Sequence, residues 1–468
     1  MNLYEVLRER GYKQIDTAPY DSIRVWQSWY EGDVKKFHTY RVFNGSKHVQ
    51  VRRYTMGMAK KVAEDWASLL MNEKVVITLE GEKEQEFIDK VFEDNNFRVK
   101  ASELQEHKAA TGTTAFVPRV TGASADEEGN VNGGDIKLDY VTAANIVPLT
   151  WENGVVSECA FATSRTAGKE KYLYVQIHKL NEQGLYDIEN VVYKDQNGNL
   201  AEQTDTSTIP GFENMVPVVH TGSDKPLFVI DRMNIANNTD ITSPMGVSVY
   251  ANAIDQLKGV DIAYDSYVNE FILGKKRIFV LPEFTKNLDG EPVFDPNDTV
   301  YYVLQSDEGN SIQPIDMALR TAEHNAGIQD MLNALSSKVG FGNMRYQFDR
   351  GSVTTATQII SENSDMFRNI KKHEIILESV LIQLCRTLLR LGNQYQNAGL
   401  DEDVEISIDF DDSIIEDKTA ERANDRMDMQ MGILNPYEYR MKWYNEDEET
   451  AKSALPMMES LVSGAEVE

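Results

Sequence analysis

From Thr354 to Asn397, apolar residues recur three and four positions apart. Met366, Phe367, Ile370, Leu377, Leu381, Leu384, Leu388 and Leu391 draw a single seam, which is the period of one helix face. A helix sustained this long exceeds the usual globular length. It belongs to a coiled coil, a repeat array or a large assembly. Gly392 and Gly399 weaken its far end. The rest of the chain has to be arranged around this element.

The same test predicts further helices. Residues 1–30 open the chain as a helical segment ending in Trp26, Trp29 and Tyr30. Met58, Val62, Trp66 and Leu69 share one face and predict a helix over Tyr54–Met71, packed on a core. Val75–Leu79 reads as a strand, and Glu80–Lys108 as helical again. A long helix is predicted over 244–273, with Ser243 as its cap and Pro244 in its first turn. Val247, Ile254, Leu257, Tyr264, Val268 and Phe271 form its stripe, broken by Asp261. Such a helix would be about 45 Å long. Gly274 stops it, and the basic run Lys275, Lys276, Arg277 suits a helix C-terminus.

Residues 276–318 read as a small appendage, with strand candidates at Ile278–Leu281 and Val300–Leu304. Helix resumes from about Ala318 to Val339. Gly340, Gly342 and Gly351 then mark residues 340–353 as a loop. Between Gly112 and His220 the period is two. Thr113–Val117, Ile136–Tyr140, Val155–Ala162, Tyr172–Ile177 and Val191–Lys194 are strand candidates, separated by Asn-Gly and Gly-Gly turns. This is a meander of hairpins, without the βαβ alternation of a parallel nucleotide-binding sheet. Val404–Phe410 alternates as a further strand. The tail is helical, with Asn435-Pro436-Tyr437-Glu438 and the acidic run Asn445–Glu449 opening helices.

Charge narrows the function. The chain has 468 residues, enough for two or three domains, with 47 basic against 75 acidic and a net charge of -28. Avid nonspecific DNA binding needs a basic surface. A like-signed surface repels phosphate and would let DNA pass without gripping it. No apolar run is long enough to span a membrane. The charged start argues against a signal peptide. Cys159 and Cys385 stand far apart, which excludes a disulfide framework or cysteine zinc site and suggests a reducing cytoplasm.

Signals for chemistry are sparse. No phosphate-cradling Gly-x-x-x-x-Gly-Lys motif occurs. His373-Glu374 begins like a zinc-protease motif, but Leu377 stands where the second histidine belongs. His373 is expected on the polar flank of the long helix. Asp409, Asp411 and Asp412 are the remote basis for a metal-dependent nuclease. Strand alternation instead puts Asp403, Glu405, Ser407 and Asp409 on a solvated face. No catalytic residue, metal or cofactor is expected. The glycine loop carries Arg345 and Arg350, with Lys338 just before it and Asn343 inside it. Basic loops of this kind touch phosphate.

Several stretches together resemble the portal proteins of tailed bacteriophages, of the siphovirus type. They are Trp26-Gln-Ser-Trp-Tyr-Glu-Gly, Arg53 to Trp66, Pro244 to Leu257, and Thr354 to Lys372. The resemblance covers nearly the whole chain. It implies an α+β portal-type fold. Residues 1–243 would be the N-terminal part of the wing and 244–275 a stem helix. Residues 276–318 would be the clip and 319–339 a second stem helix. Residues 340–353 would be the tunnel loop and 354–416 the long helix and a wing strand. Residues 417–468 would be a helical crown.

The resemblance further implies a homo-oligomeric ring, of roughly twelve subunits, at one capsid vertex of the virion. The ring would assemble in the host bacterial cytoplasm, without a membrane. Its neighbours would bury the long seams. Double-stranded DNA would pass through the channel during packaging and ejection. The terminase large subunit, head-completion or neck proteins, major capsid and scaffold proteins would be partners. Lys338, Asn343, Arg345 and Arg350 would face the DNA. Lys275, Lys276 and Arg277 would form a basic cluster where stem meets clip. The alternative, from another structural class, is a capsid or neck adaptor, a head–tail connector that never touches DNA.

Overall fold

The computed structural model describes residues 3–455 except 13–14, 44–46, 73, 123, 126–130, 197, 204, 214, 275–276, 281–301, 304–311, 316–317, 344, 349–355, 411–417 and 445. Two units separate, Met1–Phe410 and Asp411–Glu468.

The first unit opens with α1 (Leu3–Glu9), α2 (Ala18–Tyr30) and α3 (Lys35–His38), then a hairpin of β1 (Thr39–Phe43) and β2 (His48–Arg52). Helix α4 (Met58–Leu70), strand β3 (Val76–Leu79) and helices α5 (Glu82–Asp94) and α6 (Phe97–Thr111) follow. The predicted face of α4 is the buried one: Val62, Trp66 and Leu69 are all enclosed. The single helical stretch expected over 80–108 is two helices, because Asn96 takes a left-handed conformation, φ 49°, between them.

The period-two region is all β. Strands β4 (Thr113–Thr121), β5 (Ser124–Ala125), β6 (Val131–Asn132) and β7 (Asp135–Thr142) come first. Then come β8 (Ile146–Glu152), β9 (Val155–Ala167), β10 (Glu170–Leu180), β11 (Tyr186–Gln196), β12 (Asn199–Glu202), β13 (Val218–His220) and β14 (Val229–Arg232). The meander has the order β12-β11-β10-β9-β8, with β13 also on β11, and β14-β4-β7 make a second sheet. Every pair in both sheets is antiparallel, as a chain of short hairpins requires.

Helix α7 (Ile254–Leu273) starts ten residues later than Pro244 suggests. Residues 244–250 are instead a buried non-helical stretch. Ser243 does not cap a helix; its Oγ accepts from the Met245 N–H at 3.3 Å. The reason is a close approach of two backbones. A Cβ on Gly246 would lie 2.3 Å from the Gly112 carbonyl oxygen, and one on Gly112 would lie 2.5 Å from Val247 C. The Gly246 N–H donates to Thr113 Oγ1 at 2.7 Å, and the Val249 N–H to the Ala109 carbonyl at 3.0 Å. These bonds to α6 and β4 replace the ones a first helical turn would have made. The helix of 20 residues is about 30 Å long.

Past α7, β15 (Arg277–Val280), β16 (Tyr302–Val303) and β17 (Ile312–Ile315) form the small sheet expected between the helices. Helix α8 (Thr321–Lys338) runs back antiparallel to α7: Glu270 meets Arg320, while Gly259 lies against Met331. Then come α9 (Ala356–Gln396) and β18 (Ile406–Asp409), which pairs with β3.

The seam of α9 is buried inside the unit rather than left for neighbouring copies. Ile370, Leu377, Leu381, Leu384 and Leu388 are at most 1% exposed. They pack under α4, α5, β4, β14 and β18. A fully buried leucine contributes roughly 2 kcal/mol, so this helix is the core of its own protomer.

The second unit holds α10 (Lys418–Gln430), α11 (Pro436–Tyr444) and α12 (Glu448–Ser453). Both expected helix starts are present. The Asn435 N–H donates to Glu438 at 2.9 Å, and Asp447 accepts from the Thr450 N–H at 2.8 Å. Arg422 and Arg426 both donate to the Tyr439 hydroxyl, at 2.9 and 3.1 Å.

Candidate functional site

The glycine loop leaves α8 through a turn that its sequence dictates. Gly340 has φ +93°. Its N–H reaches the Ser337 carbonyl, and the Phe341 N–H reaches Ser336, at 3.3 and 3.0 Å. This is the paired closure of a Schellman end, which glycine makes without strain. A Cβ at Gly340 would stand 3.3 Å from Asn369 Nδ2 and 3.4 Å from the Trp66 ring.

Trp66 of α4 is the seat beneath that turn. Its indole stacks on Phe341 with centroids 4.8 Å apart, and its N–H donates to the Val339 carbonyl at 3.2 Å. His373 of α9 meets the other side edge-on at 4.8 Å. Contrary to the expected polar flank, His373 is 5% exposed. Its Nδ1 accepts from the Asn234 N–H at 3.1 Å. Burial first, then Lys108 and Lys372, push its pKa down to about 3, which keeps the ring a neutral acceptor. Asn369 donates to the Gly340 carbonyl at 2.9 Å.

Farther along, one side chain of α8 holds the loop backbone twice. Gln329 Nε2 donates to the Tyr346 carbonyl, and its Oε1 accepts from the Phe348 N–H, both at 2.8 Å. Tyr346 is buried and meets Phe341 edge-on. Phe348 meets Tyr267 of α7 edge-on at 5.8 Å. The loop is thus seated on α4, α7, α8 and α9 together.

The residues expected to face DNA divide. Lys338 ends α8, and Asn343 lies in the loop; both are exposed and without a polar partner among the described residues. Arg345 is exposed as well, but it has partners. Its guanidinium lies 3.7 Å from Asp65 of α4 and 5.7 Å over the Phe341 ring. Arg350 lies outside the described residues, as do Lys275 and Lys276. Arg277 begins β15. Asp411 and Asp412 are also outside, while Asp409 is exposed on β18. Among the described residues, no three His, Cys, Asp or Glu side chains are grouped to hold a metal ion.

Helix α7 is fixed at two points, within it and near its end. Asp261, the break in its stripe, is buried and accepts from His38 Nε2 at 3.0 Å and from the Met56 N–H at 2.8 Å. At the far end, Arg320 holds the Glu270 carboxyl down to about pKa 2 through a bond of 2.8 Å. Sequence reasoning missed Trp66, Gln329 and Asn369 as loop supports. Trp66 stood on a helix face that already accounted for it, and nothing local marks Gln329 or Asn369.

The chain as a whole has a counterpart among known families. The phage portal protein family of the SPP1 Gp6-like type matches residues 10–455. The chain belongs to the phage portal family. No curated protein matches it. Among solved structures, the portal protein is similar to a chain described as the neck of a native GTA particle computed with C12 symmetry. That likeness has 12% identity and a TM-score of 0.34, over 82% of this chain and 88% of the other. The family is a structural one. No described helix of this portal protein is long and apolar enough to cross a membrane.

Proposed function

We propose that this portal protein forms a ring at one capsid vertex, through which double-stranded DNA is packaged and ejected. The family match over residues 10–455 carries the reading. The antiparallel pair α7 and α8 would be the stem, and the small sheet β15–β17 would lie in the clip, where terminase and then neck proteins dock. Residues 340–353 would be the tunnel loop. Lys338, Asn343, Arg345 and Arg350 would face the duplex, while the chain's net charge of -28 keeps DNA from sticking. The seating of the loop supports this: it holds the backbone in place and leaves Lys338 and Asn343 outward.

Electron microscopy of the purified protein tests the ring. Rings with a hole wider than a duplex, roughly 20 Å, are expected; compact particles at all concentrations and salt conditions count against it. The joint replacement Arg345→Ala and Arg350→Ala should alter DNA packaging or retention and leave rings intact. Wholly normal packaging, or loss of the ring, would remove these residues from the channel.

A further inference from the structure

A cavity of about 310 Å³ opens between β4, the meander sheet and the C-terminal part of α9. That is the size of a small-ligand site. Its apolar lining includes Tyr174, Phe212, Leu227 and Leu391, each under one-tenth exposed. Two cations also line it, Arg119 and Arg165.

The two arginines are not equivalent. Arg119 Nε donates to Asp139 Oδ2 at 2.8 Å, so its charge is matched. Arg165 stands opposite Tyr172 in the β9–β10 pairing, two residues along from the Thr163–Tyr174 pair. That register puts it on the same face as Tyr174. Its guanidinium carbon lies 5.5 Å over the Tyr174 ring and 5.0 Å over Phe212. Among the described residues it has no carboxylate within ion-pair distance and no hydrogen bond. Glu213 also lines the cavity, but it is exposed and its carboxylate accepts the Gly211 N–H. Asn190 is committed to the Tyr174 hydroxyl and the Val216 carbonyl. Burial and, less strongly, Arg119 lower the Arg165 pKa, yet a guanidinium stays charged at neutral pH. The result is a half-buried, fixed cation with ring faces on its flanks and open apolar space beside it.

We propose that this cavity binds a small amphipathic carboxylate, with its head on Arg165 and its apolar body against Tyr174, Phe212 and Leu227. A planar carboxylate matches the guanidinium fork. A dianionic phosphate would leave its second charge without a cation, because Asp139 already holds Arg119. The proposal stands apart from the DNA channel and does not depend on it.

The test titrates the full chain with phenylbutyrate by calorimetry and saturation-transfer NMR. The uncharged phenylbutyramide and the variant Arg165→Met run in parallel. Methionine keeps the apolar stem and removes the charge at a half-exposed position, and circular dichroism checks its fold. Arg165→Lys serves as a second variant, retaining charge without the fork. Saturable binding is expected, weakened by at least about tenfold both for the amide and in Arg165→Met, with Arg165→Lys in between. Lack of saturable binding, an amide that binds as well as the acid, or an unchanged affinity in Arg165→Met overturns it.

Discussion

Trp66 sits where two stretches remote from it in sequence meet: the end of α8 running into the loop at Phe341, and His373 of α9. Its two contributions are separable. Trp66→Phe retains a ring for Phe341 and leaves the Val339 carbonyl without its donor, an expected loss of about 1–2 kcal/mol. Gln329→Leu strands two backbone groups of the loop at once and should cost about as much or more. Chemical denaturation of the purified chain measures both. Two buried histidines give the protein an acid sensitivity. His178 lies between Phe161 and Phe228 with neither ring nitrogen hydrogen-bonded. Burial pushes its pKa from 6.5 to about 3, as it does for His373. The unfolded chain takes up these protons below pH 6.5, while the folded chain stays neutral there. Stability is therefore complete above pH 6.5 and falls as pH drops toward 3, by about 1.4 kcal/mol per pH unit for each histidine. His178→Leu should remove about half of that slope in equilibrium unfolding measured from pH 7 to pH 5.

At the scale of elements, the long helix has two unequal sides. Leu384 is fully buried, and Leu384→Ala should cost about 3 kcal/mol. Ile375, on the same helix, is 65% exposed, and Ile375→Ser should change monomer stability by less than about 0.5 kcal/mol. Thermal or denaturant unfolding distinguishes them. The helix itself was legible because its seam repeats every three or four residues. Its partner was not, since a seam records that something covers it and not what. The strands over 112–220 were legible for a similar reason: alternation and Asn-Gly turns are local. The start of α7 was misread because Ser243-Pro244 has the chemistry of a helix start. What overrides it is Gly112, more than a hundred residues away, which lies against Gly246. The same limit explains the loop. Its glycines were visible, whereas Trp66, Gln329 and Asn369 come from three other helices and carry no shared spacing. Asp261 read as a flaw in a stripe; His38 and Met56 make it a buried anchor.

Across the whole molecule, the two units differ in how much they enclose. The described core of Met1–Phe410 draws on residues from Val6 to Ile406, while Tyr439 and Ala451 are the buried apolar residues among those described in Asp411–Glu468. Helices with so little covered surface open easily. Hydrogen exchange should therefore show amides of α10–α12 exchanging well before those of α9 at Leu377–Leu388. Equal protection in both would contradict the division. Helix α9 also has a mechanical consequence. It is about 60 Å long and is gripped from the side by α4, α5, β4, β14 and β18. A beam clamped at that many points does not flex locally. A push on the glycine loop reaches it through Asn369 and His373, and must then shift the elements packed along the helix as one body or not at all.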